Sequence, residues 1–203
     1  MAGRPRKAEP EVALTAAMNA FWSRGYEATS MSDLTAATGL HKASLYQTFG
    51  DKHALFVSAL KLYFDKTTAA QSDSHNGETN PLNVLRNSVT TTIEQFAEGK
   101  GCLAVNSLIE VAPFDAEIDK ILKQFRQRLD RKLMRLVDAA KATGQVLATV
   151  DSRDAVRLIT VFMHGLSANM ASGMSAAKAR TLLHEQLDLV LAIGKRAKSQ
   201  ESG

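Results

Sequence analysis

Apolar residues recur along most of the chain at intervals of three and four, the spacing that lines up one face of an α-helix. Leu14, Ala17, Met18 and Phe21 make the first such stripe, and Gly25 ends it. Ser32 is placed to cap a short second helix, SDLTAAT, which stops at Gly39. The spacing predicts a third short helix over about 42–49, broken by Gly50 and Asp51. Asp51 is then placed to cap a fourth helix carrying Phe56, Ala59, Leu60 and Tyr63. Five more helices are predicted at about 82–98, 102–111, 115–142, 152–172 and 176–197. The fold class is therefore all-α, with no segment showing the alternation of a strand.

The polar stretch SDSHNGETNP at 72–81 is the clearest loop in the chain, and the domain boundary is placed near its start. The expected organisation is a helix-turn-helix domain over 1–50, a connecting helix over 51–71 and a larger helical domain over 72–203.

Two short helices joined by a tight glycine-containing turn make a helix-turn-helix unit. The third helix has to dock by an apolar inner face, which Leu45 and Phe49 supply at i and i+4. Its leading outer edge carries Lys42, Ala43, Ser44 and Gln47. Lysine can donate to guanine, glutamine can pair with adenine and alanine can meet a thymine methyl. The Tyr46 hydroxyl, the Lys52 charge, Thr29 and Ser30 are candidates for phosphate contacts. At the amino terminus, Arg4, Arg6 and Lys7 sit in a proline-stiffened basic arm suited to a narrow minor groove. The plainer alternatives are an ordinary αα-hairpin and a solubilising tail, and residue pattern alone leaves them open.

Composition adds limits. Of 203 residues 45% are hydrophobic, enough for a full core, and 4 prolines leave room for long helices. The formal charge of +4 permits an anionic partner without demanding one. Residues 1–66 hold 8 Lys/Arg against 6 Asp/Glu, a net of +2, so local placement has to carry a nucleic-acid reading. A single cysteine, Cys102, excludes an internal disulfide and a multi-cysteine zinc site. No cofactor or metal is expected. The first residues lack the apolar run of a secretory signal, and the longest aliphatic run, LVLAI at 189–193, is too short to span a bilayer. A soluble cytoplasmic protein with no membrane partner is expected.

Residues 14–55 resemble the amino-terminal domain of TetR/AcrR-type transcriptional regulators. The matching features are AA followed by F in the first helix, RGY-x-x-TS before the second, A-x-TGL at the turn, SLY-x-x-F in the third, and K-x-x-L opening the fourth. The resemblance implies a homodimer on a palindromic double-stranded DNA operator, a recognition helix in the major groove and a carboxy-terminal domain that binds a small-molecule inducer. By position it carries base contacts to Lys42, Ala43, Ser44 and Gln47, and phosphate contacts to Thr29, Tyr46 and Lys52. His41 departs from it, since Ser or Thr is usual at that cap; imidazole caps less well, or touches phosphate when protonated.

In the last predicted helix, Leu182, Leu183, Leu187, Leu189, Val190, Leu191 and Ile193 spread around much of the girth. The helix before it is rich in small residues from Gly165 to Gly173. Together they suggest an intersubunit four-helix bundle, with a fully internal helix pair as the alternative. The ligand cavity implied by the resemblance has Phe96, Asn106, Phe125, Phe162, Met163 and His164 as candidate lining, although core packing is the plainer reading of the phenylalanines, Met163 and His164. Cys102 follows EGKG at the start of a helix with Lys100 nearby, which would favour a reactive thiolate, with a small buried hydrophobe as the alternative. The segment GCL-x-x-N resembles the corresponding helix of such regulators, and that resemblance implies a sensor of electrophiles or oxidants. The resulting expectation is a DNA-binding repressor released by an inducer. A small cysteine-dependent enzyme pairing Cys102 with His164, and a helical scaffold that never touches DNA, are the alternatives.

Overall fold

The computed structural model describes residues 10–73, 77–96 and 99–191. Among these residues there are nine helices and no strand: α1 (Pro10–Arg24), α2 (Met31–Thr38), α3 (Lys42–Phe49), α4 (Lys52–Asp73), α5 (Pro81–Gln95), α6 (Leu103–Glu110), α7 (Ala116–Ala142), α8 (Ser152–Ala171) and α9 (Ala176–Val190).

Local chemistry sets the ends of the short helices. The cap of α2 is Ser30, two residues earlier than expected at Ser32. Ser30 wins because Asp33 lies three residues on: the Ser30 hydroxyl accepts from the Asp33 N–H at 3.1 Å, and the Asp33 carboxylate accepts from the Ser30 N–H at 2.9 Å. At the other end Gly39 takes φ +68° and donates its N–H to the Thr35 carbonyl, a left-handed turn that an L side chain resists. Asp51 caps α4 as expected, accepting from the Ala54 N–H at 2.8 Å.

The chain forms two compact units. The first takes α1, α2, α3 and α4 as far as Lys66, together with residues 103–122, that is α6 and the start of α7. It thus includes a later segment that sequence reading assigned wholly to the larger domain. In this unit α1 packs on α2 and α2 on α3. Ala17, Phe21, Leu34, Leu45, Phe56, Leu60 and Ile118 are all buried there. The Phe21 and Phe56 rings meet edge to face with centroids 5.0 Å apart, and Tyr26 closes on Phe56 at 4.7 Å. Each such buried Leu or Phe contributes about 1.5–3 kcal/mol. The second unit takes the rest of α4, α5, the remainder of α7, α8 and α9, with α5, α8 and α9 packed on one another. Its core includes Leu85, Val89, Ile93, Leu133, Val137, Ile159, Leu183 and Leu187.

Candidate nucleic-acid interface

α3 is anchored by a single buried side chain, Leu45 at 1% exposure, with Phe49 partly covered beside it. At about 100° per residue the opposite face falls on Ala43 and Gln47, flanked by Lys42 and Tyr46 on one side and Ser44 and Thr48 on the other. Lys42, Ala43, Tyr46, Gln47 and Thr48 are exposed and Ser44 is half-buried. Small groups at the centre and polar groups around them let a helix backbone approach base edges. Thr48 shares this face, and sequence reading gave it no role.

His41 is the N-cap residue of α3, with extended backbone and no side-chain cap bond. Its exposed imidazole is therefore not spent on the helix end. Lys42 Nζ lies 5.9 Å from the centroid of the Tyr46 ring, one turn away. Lys52 Nζ sits 4.4 Å over the Tyr26 ring and 3.4 Å from the Glu27 carbonyl, which pins its charge at the start of α4.

Two expected phosphate contacts are not available in the form anticipated. Thr29 is 0% exposed, and its hydroxyl donates at 2.6 Å to the Gly25 carbonyl, so it braces the α1–α2 turn from within. The exposed Ser30 hydroxyl donates at 2.6 Å to Asp33 Oδ2 while accepting from the Asp33 N–H, so its proton is committed to the cap. Arg24 also pairs with Asp33. These bonds, first the Ser30 hydroxyl and backbone and then Arg24, hold the Asp33 carboxyl below the usual carboxylate range. Arg4 and Arg6 of the expected arm lie outside the described residues, as does Ile193.

Residues far along the chain support this surface. The Glu110 carboxylate, at the end of α6, accepts from the Tyr26 N–H at 3.0 Å and the Glu27 N–H at 2.9 Å. His53 Nε2 and Asp115 Oδ2 are 2.8 Å apart. Asp115 is held below the usual range by the Ile118 N–H first and then by His53. A separation of more than sixty positions left no local signal for either contact.

The expected ligand-cavity residues are more scattered. Asn106 belongs to the first unit, the others to the second. Phe96 and Met163 are core residues, while Phe125, Phe162 and His164 are half-buried. Burial, and then the charge of Arg126, push the His164 pKa down. Cys102 is buried directly before α6 rather than opening it, and its N–H donates at 2.8 Å to the Ser167 hydroxyl. Two open hollows of about 570 and 500 Å³ occur on the second unit, and none of these residues lines either of them.

An all-α chain whose capped, glycine-turned helix pair offers a small polar face is built as a helix-turn-helix DNA-binding regulator. Comparison with known proteins is specific on this point. Residues 13–59 match the family model for bacterial regulatory proteins of the tetR family. The HTH-type transcriptional repressor ComR of Escherichia coli K12 is 28% identical over 180 residues, covering 87% of this chain and 86% of ComR. The repressor BdcR of the same organism is 25% identical, covering 85% of this chain and 84% of its own. A cysteine mutant of the TetR-family regulator CifR, solved with a 26-bp double-strand operator DNA, superposes with a TM-score of 0.79 at 26% identity; 91% of this chain and 98% of that one are covered. Residues 13–59 thus carry the DNA-binding domain of the tetR family, and over most of its length the chain is similar to DNA-binding transcription regulators that share it. Among the described residues no helix is long and apolar enough to cross a membrane.

Proposed function

We propose that this protein is a transcriptional repressor that binds a palindromic operator as a homodimer and leaves it when a small molecule binds. The observation that carries the reading is the exposed face of α3, with Lys42, Ala43, Ser44 and Gln47 held outward by the buried Leu45. Tyr46, Lys52 and His41 surround that face and supply the phosphate contacts. The repressor relatives, and the operator complex of CifR, support the same direction of control.

The dimer reading rests on the outer faces of α8 and α9. Leu158, Val161, Gly165, Ala168 and Ser172 are exposed at intervals of three and four, the spacing of a helix–helix seam. Leu158 is 52% and Val161 57% exposed, and Leu189 on α9 is 74% exposed. Apolar groups in such a row belong against a partner. On this reading the amino-terminal helices are the DNA-binding domain, α4 is the connecting lever, and the later helices make a ligand-binding and dimerisation domain in the cytoplasm. Inducer binding would favour a state in which the two recognition helices no longer match successive major grooves. Release through Cys102 requires the buried stretch around it to open before an electrophile can reach sulfur. Operator release by a quinone is therefore expected to be the same in the parent and in Cys102→Ser, and slower release in the variant would make the thiol the sensor.

Selection of bound duplexes from a random DNA pool tests the whole proposal. Enrichment of a two-fold symmetric sequence, with affinity falling steeply as salt rises, is the expected result. Recovery of no sequence above the starting pool would overturn it.

A further inference from the structure

The second unit carries a concentration of positive charge that a DNA-binding face on α3 does not use. On α7, Arg128, Arg131, Lys132 and Arg135 fall at i, i+3, i+4 and i+7, the spacing of one helix face. With Met134 and Asp138 they line an open hollow of about 500 Å³. One turn earlier the same helix does pair its charges, with Arg126 Nε 3.7 Å from Asp130. Around the hollow it does not: among the described residues none of Arg128, Arg131 and Arg135 forms an ion pair. Asp138, the single carboxylate in the lining, accepts a hydrogen bond from the Ser152 hydroxyl.

Lys132 reaches deeper than its neighbours. It is half-buried, and its Nζ donates at 3.1 Å to Gln71 Oε1. Gln71 Nε2 donates at 2.8 Å to the Thr92 hydroxyl, which donates at 2.9 Å to the Ser88 carbonyl, and all three residues are buried. A partly desolvated ammonium facing a neutral amide lacks the counter-charge that ordinarily accompanies it. Burial, and then the charge of Arg135, push its pKa down.

We propose that this face of α7 binds a small organic polyanion, a molecule with two or more carboxylate or phosphate groups, held by Arg128, Arg131 and Arg135 with one anionic oxygen on Lys132. Guanidinium groups match carboxylate and phosphate oxygens two at a time, and a single negative charge leaves most of the cluster unbalanced. The hollow falls within the ordinary size of small-molecule sites, about 300–1,000 Å³. Occupancy has a structural consequence. An anion that draws Lys132 outward takes the donor from Gln71 Oε1, a buried amide near the carboxy-terminal end of α4, the helix whose first residue follows α3 closely in the chain. That coupling rests on the regulator reading, whereas binding at the hollow does not.

The test is calorimetric titration of the full chain with inorganic pyrophosphate and with citrate, at constant ionic strength maintained with chloride. Saturable binding, one anion per chain, is expected, weakened at least tenfold in the Arg131→Gln/Arg135→Gln double variant while its circular dichroism and melting temperature stay those of the parent. Lys132→Met is expected to retain part of the binding and to lose any effect of the anion on operator affinity. Heats no larger than those of matched chloride, or equal affinity in the double variant, overturn the site. So does a loss of affinity for random-sequence duplex in the double variant with no anion bound by the parent, which would make the face a nucleic-acid contact. Operator binding by the same samples without added anion reads the regulator assignment separately: intact operator binding with no anion bound sinks the site alone, and the converse upholds the site and sinks the coupling.

Discussion

The Lys42 ammonium rests 5.9 Å from the Tyr46 ring centroid, with both side chains open to solvent. An exposed cation–π contact of this kind is worth about 0.5–1 kcal/mol. A good base-edge contact discriminates by about 1–3 kcal/mol, so Lys42 can leave the ring for a guanine at a net gain. Lys42→Ala is expected to narrow the ratio of operator to scrambled-duplex affinity by about that amount. Tyr46→Phe removes only a hydroxyl, whose assigned partner is a phosphate, and is expected to weaken both duplexes alike. Titrating each variant against both sequences separates the roles, and an undiminished preference in Lys42→Ala would remove that residue from base reading. Thr29 marks the limit of residue-level reading. A threonine before a helix invites a phosphate contact in sequence, yet packing turns it inward onto Gly25.

Among the elements, α2 depends most visibly on two side chains. Ser30→Ala deletes the hydroxyl that both caps the helix and donates to Asp33, at a cost of about 1 kcal/mol. The Asp33 carboxyl has a lower pKa in the folded chain than its usual value. Its contribution is therefore present above the ordinary aspartate pKa and is lost as pH falls through the folded value. The stability gap between parent and Ser30→Ala, measured by urea denaturation, should be widest at neutral pH and narrow as acid protonates Asp33, leaving the part due to the hydroxyl that accepts from the Asp33 N–H. A gap unchanged in acid would mean that the Asp33 bond carries none of it. At the α1–α2 turn, Gly25 has φ +85°, and an added Cβ would come within 2.8 Å of the Glu110 carboxylate that the turn amides hold. Gly25→Ala is accordingly expected to lower the melting stability by about 1–3 kcal/mol, and a neutral result would show that Glu110 moves aside freely.

For the whole molecule, the open question of assembly has a physical handle in the row from Leu158 to Ser172. Val161→Glu places a charge in the centre of that row at a position outside the core, since Val161 is 57% exposed in the single chain. Sedimentation should show the variant as a monomer with parent-like helicity, and operator affinity should fall with it because two half-sites are no longer bound together. A Val161→Glu dimer as stable as the parent would move the interface elsewhere.

The periodicity of apolar residues determined the all-α class and the order of the nine helices among the described residues, and the matched positions between 14 and 55 gave the resemblance to tetR-family regulators. Both are local properties: helix formation and capping depend on residues within one or two turns, which a sequence displays directly. The long-range contacts were decided only in three dimensions. Glu110 bonding the α1–α2 turn, Asp115 meeting His53, the Cys102 N–H on Ser167, and Lys132 reaching Gln71 each join residues more than sixty positions apart that share no motif. Such contacts follow from which helix faces lie against each other, and that is set by the fit of many side chains at once rather than by the pattern of any one segment.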